Sequence, residues 1–87
     1  MVSKTIEIKH PMGLHLRPAG ILSKIAMEYK SLVTFKVHGE VSNAKSVLSI
    51  LGACVKCGDK VEFICEGVDE EEALAAIVTA VEGGLGE

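Results

Sequence analysis

Along this chain the apolar residues change repeatedly between two spacings, and the order of these changes constrains the fold more than any other feature. Apolar and polar residues alternate over residues 2–8, 33–37 and 60–66, which predicts three half-buried strands. The pair His38-Gly39 predicts a tight turn from the second of these into a short strand over residues 40–42. The sequence therefore predicts four strands.

Three further segments have the spacing of helices. One begins at Leu16 and carries an apolar stripe made of Leu22, Ile25, Ala26 and Tyr29. A short helix is predicted over residues 46–53, with Ser46 near its N-cap. The last helix begins near Asp69, which together with Glu72 resembles a capping box.

The predicted order is strand, helix, strand, strand, helix, strand, helix. Four antiparallel strands with one apolar face, and helices packed on that face, form an open-faced sandwich of the α+β class. We expect a single domain over residues 1–87, since 87 residues are enough for one domain only. So small a core disfavours a deep cavity, and with it an enzyme that encloses its substrate.

Charge, N-terminal pattern and cysteine content limit the classes of partner and the cellular compartment that we expect. The net charge is −3 and the sequence has no block of Lys or Arg, so nucleic acid is not an expected partner. The N-terminal residues alternate and lack a long apolar stretch, so neither a signal peptide nor membrane insertion is expected. Three cysteines without a disulfide framework indicate reduced thiols in a cytoplasmic protein.

The most informative segment runs from Gly13 to Ala19. His15 stands where a glycine-containing loop enters a helix, and Arg17 follows two residues later. With His15 as N-cap, the amides of Leu16, Arg17 and Ala19 would point toward a group on its imidazole, and such amides bind anions. The Arg17 guanidinium can add contacts to phosphate oxygens. Because imidazole is largely unprotonated near neutral pH, His15 is a candidate phosphoryl acceptor. So short a motif also arises by chance, and His15 and Arg17 would then be a loop histidine and a solvated arginine without a function.

Two motifs carry a family resemblance. The run Gly13-Leu14-His15-Leu16-Arg17-Pro18-Ala19 closely resembles the active-site signature of the histidine-containing phosphocarrier (HPr) family of the bacterial sugar phosphotransferase system. The run Asn43-Ala44-Lys45-Ser46-Val47-Leu48 resembles a second motif of that family. The resemblance covers essentially the whole chain. It implies that His15 is phosphorylated, that Arg17 stabilises the phosphoryl group, and that Ser46 is a regulatory phosphorylation site.

The resemblance also implies a role and partners. Phosphorylated enzyme I would give its phosphoryl group to His15, and sugar-specific IIA domains would take it during sugar uptake. The protein would be a carrier without a cofactor or metal, and not an independent catalyst. A dedicated kinase phosphorylates the serine of the second motif in many Gram-positive and some other bacteria. An HPr kinase/phosphorylase and a transcription regulator are therefore candidate partners.

Four residues depart from the usual family pattern: Met12, Leu16, Gly20 and Cys54. The first three would surround His15, which leaves the identity of the partners open. We expect an apolar docking patch on the helices, made of Leu16, Gly20, Val47, Leu48 and Leu51. A phosphate on Ser46 would lie beside this patch and block docking electrostatically. A flat docking face is most simply carried by a monomer.

Two other functions stay open. An HPr-like regulatory binding module would signal through phosphorylation of His15 or Ser46, with little sugar transport. Cys54 and Cys57 form a Cys-x-x-Cys motif that would suit a metal or redox carrier. However, a thioredoxin-type Cys-x-x-Cys lies at the start of a long helix, whereas this motif lies at the end of a short one. This position favours two thiols without a metal or redox function. His10 and His38 are imidazoles to which the sequence assigns no role.

Overall fold

A computed structural model describes residues 1–86 of the chain. Its sheet has four antiparallel strands in the spatial order β1-β4-β2-β3. The strands are β1 (Val2–Glu7), β2 (Leu32–Val37), β3 (Glu40–Asn43) and β4 (Lys60–Glu66). The helices are α1 (Leu16–Met27), α2 (Val47–Gly52) and α3 (Glu70–Glu82). The predicted open-faced α+β sandwich and its βαββαβα order are confirmed.

The core lies between one face of the sheet and the helices. Alternate residues of the two central strands point into it, and Phe35 on β2 pairs in register with Phe63 on β4. Their ring centroids are 6.3 Å apart, an arrangement that adds about 0.5–1.5 kcal/mol beyond the area buried. Each helix contributes at least one side chain with no exposed surface: Leu22 and Ala26 on α1, Ile50 on α2 and Ile77 on α3. The apolar stripes seen in the sequence therefore face the sheet.

The β2–β3 hairpin has the tight turn at His38-Gly39 that the sequence predicts. His38 and Gly39 both have positive φ, 54° and 79°, as a two-residue turn of the type common in hairpins requires. The ring nitrogen Nε2 of His38 lies 2.9 Å from Oδ2 of Asp59. This imidazole thus contacts the residue that immediately precedes β4. None of the helices in residues 1–86 is both long and apolar enough to cross a membrane.

The capping box predicted at the start of α3 is wrong. Asp69 is the N-cap residue, but its side chain makes no cap hydrogen bond. Its carboxylate instead accepts the backbone N–H groups of Lys30 and Ser31, at 2.9 Å each, and the Ser31 hydroxyl. These bonds, the Ser31 hydroxyl first, hold the pKa of Asp69 below its ordinary value. The carboxylate therefore joins the α1–β2 connection to α3, a contact between distant parts of the sequence that a local motif cannot indicate.

Candidate functional site

His15 stands at the N-terminus of α1, as predicted. It is the N-cap residue, with φ −81° and ψ −168°, the extended backbone that N-cap residues adopt. Leu16 and Arg17 occupy the first two helical positions, whose amide groups have no acceptor within the helix. The third amide expected to face the site does not: the N–H of Ala19 donates to the carbonyl of His15 at 2.9 Å. The anion-binding amides are therefore Leu16 and Arg17, since Pro18 has no N–H.

The two side chains of the motif differ in exposure. The His15 ring is partly exposed, but its Nε2 atom has less than 1 Å² of accessible surface. The Arg17 side chain is exposed, and within residues 1–86 no hydrogen bond or ion pair holds its guanidinium. It is therefore available to approach an anion on the His15 ring. The site is shallow, so a large partner can reach it.

The loop before His15 is held in place through Gly13. This glycine has φ +66°, and a Cβ atom on it would lie 2.2 Å from the carbonyl oxygen of Val55. The next residue, Leu14, donates its N–H to that oxygen at 3.1 Å. Gly13 is therefore required both for its left-handed backbone and for the close approach of two chain segments. The sequence indicated a loop glycine here but gave no sign of Val55.

The connection between α2 and β4 holds the other end of this loop. The N–H of Ile8 donates to the carbonyl of Asp59 at 2.8 Å, and the N–H of Gly58 donates to the carbonyl of Ile8 at 2.7 Å. The Asp59 carboxylate accepts the N–H of Lys56 at 2.8 Å, and this bond is the main reason that the Asp59 pKa lies below its ordinary value. The site loop and the α2–β4 connection therefore form one structural unit.

The Cys-x-x-Cys motif lies in this connection. Cys54 and Cys57 are both exposed, and the Cys57 thiol lies 3.6 Å from the carbonyl oxygen of Lys9. Cys54 has φ +54°, a left-handed backbone conformation that favours glycine. Within residues 1–86, no three His, Cys, Asp or Glu side chains lie close enough together to hold a metal ion.

His10 is a residue of the site that sequence reasoning missed. Its ring centroid lies 5.1 Å from that of His15, with the two ring planes tilted by 47°. Its Nδ1 atom accepts the N–H of Met12 at 3.0 Å, and its carbonyl accepts the N–H of Gly13 at 2.9 Å. Residues 10–13 are therefore a β-turn with Pro11 at its second position, the place where proline is favoured. The sequence signal for this turn is a residue with a side-chain hydrogen-bond acceptor, His10, directly before Pro11.

Ser46 is the N-cap of α2, as predicted. Its hydroxyl accepts the N–H of Ser49 at 3.2 Å. The segment before it is tied to α1, because the Ser23 hydroxyl donates to the carbonyl of Lys45 at 2.9 Å. This bond fixes the start of α2 beside the helix that carries the His15 motif.

The five residues of the predicted docking patch all have exposed surface. Leu16 is 67% exposed and Leu48 82% exposed. Gly20, Val47 and Leu51 are partly exposed. Met12, in the turn before His15, is 70% exposed. The structure thus places apolar side chains on both α1 and α2 and in the loop beside His15.

This fold and this site define a class of protein: a small open-faced sandwich that presents a histidine at a helix N-terminus on its surface. The family described as "PTS HPr component phosphorylation site" matches residues 2–83, and the chain belongs to this HPr family of phosphocarrier and HPr-like proteins. It is 40% identical to the phosphocarrier protein HPr of Mycoplasma genitalium over 76 residues, 86% of each chain. It is 33% identical to the HPr-like protein Crh of Bacillus subtilis, covering 94% of this chain and 96% of Crh.

The solved structures agree with this assignment. HPr-C-His from Thermoanaerobacter tengcongensis is similar to this chain with a TM-score of 0.95 and 39% identity. The match covers 100% of this chain and 98% of that one. The resemblance inferred from the two sequence motifs is therefore confirmed at the level of the family and the fold.

Proposed function

We propose that this protein is a phosphocarrier that accepts a phosphoryl group on His15 from phosphorylated enzyme I and passes it to IIA domains in sugar uptake. The observation that carries the proposal is the position of His15 as N-cap of α1, with Arg17 exposed two residues further on. A shallow site of this kind suits a carrier because donor and acceptor must both reach the same atom. The protein positions the phosphoryl group, and its partners supply the rest of each active site.

Within the proposal, Nδ1 of His15 is the accepting atom, because Nε2 is shielded from solvent. A bond forms between Nδ1 and phosphorus as the bond from phosphorus to the donor breaks, and the reverse exchange occurs with the acceptor. The amides of Leu16 and Arg17 and the positive end of the α1 dipole then face a doubly negative group. The guanidinium of Arg17 contributes bidentate hydrogen bonds to its oxygens. His15 is thus the nucleophile in the first transfer and the leaving group in the second.

Phosphorylation by phosphoenolpyruvate and a catalytic amount of enzyme I tests the proposal. We expect the intact mass, read under alkaline conditions, to rise by one phosphoryl group. The gain should disappear in His15→Ala and persist in His38→Ala. His38 is a matched control because its imidazole contacts Asp59 and does not belong to the His15 motif. A folded protein that gains no mass, or a His15→Ala variant that gains as much as the wild type, would contradict the proposal.

We further propose that phosphorylation of Ser46 regulates docking. This hydroxyl lies at the N-cap of α2, beside Val47 and Leu48 of the docking patch. A phosphate there is compatible with the helix, because the N-terminal end favours negative charge, but it places a dianion next to an apolar surface. Ser46→Asp should slow phosphoryl transfer to His15, whereas Ser46→Ala should leave the rate near that of the wild type. Equal rates for Ser46→Asp and wild type would disprove the idea.

The similarity to the HPr-like protein Crh supports a second candidate, a regulatory binding module with little sugar transport. In that case the phosphorylated state of His15 or Ser46 would be recognised by a transcription regulator or a metabolic enzyme. The two candidates separate in a transfer assay: the phosphorylated carrier loses its phosphoryl group to a IIA domain from the same organism, whereas a signalling module retains it. We expect a monomer in either case, which sedimentation of the purified protein would check.

A further inference from the structure

Gly20 is a glycine inside α1 that the fold of the domain does not require. Unlike Gly13, it has no positive φ. Apart from the adjacent backbone of α1, no atom of residues 1–86 lies within 4 Å of a Cβ added to it, so a larger residue would fit. Because glycine is among the poorest helix formers, it lowers the stability of α1 without a contact inside the domain that explains its presence.

Gly20 belongs to a stripe of α1 that borders α2. An α-helix turns by about 100° per residue, so Leu16, Gly20 and Met27 point within about 40° of one another. Ser23 lies on the same stripe, and its hydroxyl donates to the carbonyl of Lys45, two residues before α2 begins. The stripe therefore lies on the side of α1 that carries the docking patch.

This stripe has two protruding apolar side chains with a gap between them. Leu16 is exposed at the start of α1, and Met27 at its end is 65% exposed. Among residues 1–86, neither the side chain of Leu16, one turn before Gly20, nor that of Lys24, one turn after it, reaches within 4 Å of the Cβ position of Gly20. The surface of α1 thus falls to the helix backbone between Leu16 and Met27, and we call this gap the Gly20 notch.

A protein that reacts with His15 must also cover the Gly20 notch. The rise of an α-helix is 1.5 Å per residue, which places Gly20 about 7.5 Å along α1 from His15. A stable interface buries about 800 Å² on each partner, which corresponds to a patch about 30 Å across. Because Gly20 is partly exposed, the surface of a donor whose reactive group reaches His15 extends over it.

The walls of the notch determine which side chain can enter it. Leu16 and Met27 are apolar, and the backbone groups at the floor are bonded within the helix. A charged or amide side chain would lose its water there without gaining a hydrogen-bond partner. An aliphatic or aromatic side chain would instead gain from burial, as does an apolar side chain that enters the hole between four residues of a facing helix.

We propose that the Gly20 notch receives one bulky aliphatic or aromatic side chain of enzyme I, and that Gly20 thereby determines which donor can dock. This inference rests on the proposed function of His15. It goes beyond the predicted docking patch, because it gives the glycine a role that a larger residue at the same position would abolish. The fit to the donor then explains a glycine that weakens α1 and that the fold does not need.

Phosphoryl transfer from phosphoenolpyruvate through enzyme I of the same organism, at varied concentrations of the carrier, tests the inference. The variants are Gly20→Ala and Gly20→Leu. The matched control is Ala75→Leu, which adds apolar bulk at an exposed position of α3, in a groove on the side of α1 that carries Ile25. Both Gly20 variants should melt at or above the temperature of the wild type, because Ala and Leu are good helix formers and the position has room. Phosphoramidate, a small phosphoryl donor, reports the reactivity of His15 without docking.

We expect the KM for Gly20→Leu to rise by roughly tenfold to a hundredfold with little change in kcat, and the KM for Gly20→Ala to rise less. Reaction with phosphoramidate should keep the wild-type rate in all variants. An unchanged KM for Gly20→Leu, or an equal rise for Ala75→Leu, would overturn the inference alone. Enzyme I that transfers nothing to the wild type would contradict the proposed function and the inference with it.

The chemistry of the occupant is measured in the complex of the isotopically labelled carrier with unlabelled enzyme I. Intermolecular NOEs from the α-protons of Gly20 identify the group that lies in the notch. We expect NOEs to methyl or aromatic protons of enzyme I. NOEs to charged or amide side chains alone would overturn the assignment of an apolar occupant, even if the KM of Gly20→Leu had risen.

Discussion

Replacement of Gly13 by alanine is the most direct test of how the site loop is held. The added Cβ would lie 2.2 Å from the carbonyl oxygen of Val55, 2.8 Å from Cα of Lys56 and 3.0 Å from the carbonyl carbon of Val55. All three atoms belong to the backbone, so no side-chain rotation can relieve the overlap. The loop must move away from the α2–β4 connection by about 1 Å to reach ordinary van der Waals separation.

The cost has two parts. A residue with a Cβ pays about 1–2 kcal/mol to adopt the left-handed backbone that Gly13 has at φ +66°. The displacement also breaks the hydrogen bond from Leu14 to Val55, worth about 0.5–1.5 kcal/mol. We therefore expect Gly13→Ala to lower the free energy of unfolding by about 2–3 kcal/mol. For a domain of this size that corresponds to a fall in Tm of about 10–20 °C.

Urea unfolding followed by circular dichroism measures this change, and Gly20→Ala is the matched control. Gly20 lies inside α1, and apart from the adjacent backbone of that helix no atom of residues 1–86 lies within 4 Å of a Cβ added to it. Alanine at this position should stabilise the protein by about 0.5–1 kcal/mol, because glycine is a poor helix former. Transfer of a phosphoryl group to His15 should also fall in Gly13→Ala, since the loop that presents the ring has moved. A Gly13→Ala variant as stable and as active as the wild type would show that the loop is not held in this way.

Three other substitutions test separate parts of the structure. Cys54→Gly should raise stability by about 0.5–1 kcal/mol, since it relieves a left-handed backbone at a cost in chain entropy, and Tm reports the gain. Ser46→Ala should lower stability by about 1 kcal/mol through loss of the cap to Ser49, whereas Ser46→Asp, also a good cap, should not. The Asp69 pKa is lowered on folding, so its contribution is present above the ordinary value of 3.8 and is lost as pH falls through the native value. Melting curves between about pH 6 and about pH 2 should thus decline less steeply for Asp69→Asn; parallel declines would contradict this assignment.

Local patterns in the sequence are sufficient to predict the helices and strands and two of the helix N-caps. Alternation over residues 60–66 and the stripe through Leu22 and Ala26 set the strand and the helix, because each pattern has one apolar side that must be buried. His15 and Ser46 were placed as N-caps because each precedes a change of period. The family followed from two motifs at matching positions. All of this information lies within short stretches of chain.

One failure is local, since the Ala19 amide donates within the helix to His15, and the other two involve partners far away in the sequence. The carboxylate of Asp69 bonds to Lys30 and Ser31, 38 or 39 residues earlier, so the capping box was a local interpretation of a long-range contact. The contact of His10 with the His15 ring depends on the path of the turn, which in turn depends on Val55. The role of each residue in phosphoryl transfer remains a prediction from the motif and its geometry.

The tie between the site loop and the α2–β4 connection sets when the site can form during synthesis. A ribosome that has released only the first fifty residues has made the His15 motif and the whole of α1, but not Val55 or Asp59, which hold Leu14 and Ile8. Strand β1 is also without its partner until β4 emerges, since the sheet places β4 between β1 and β2. Contacts between residues this far apart in the chain slow folding and come late. A nascent chain can therefore expose its histidine long before it can present that histidine in the geometry a donor would recognise.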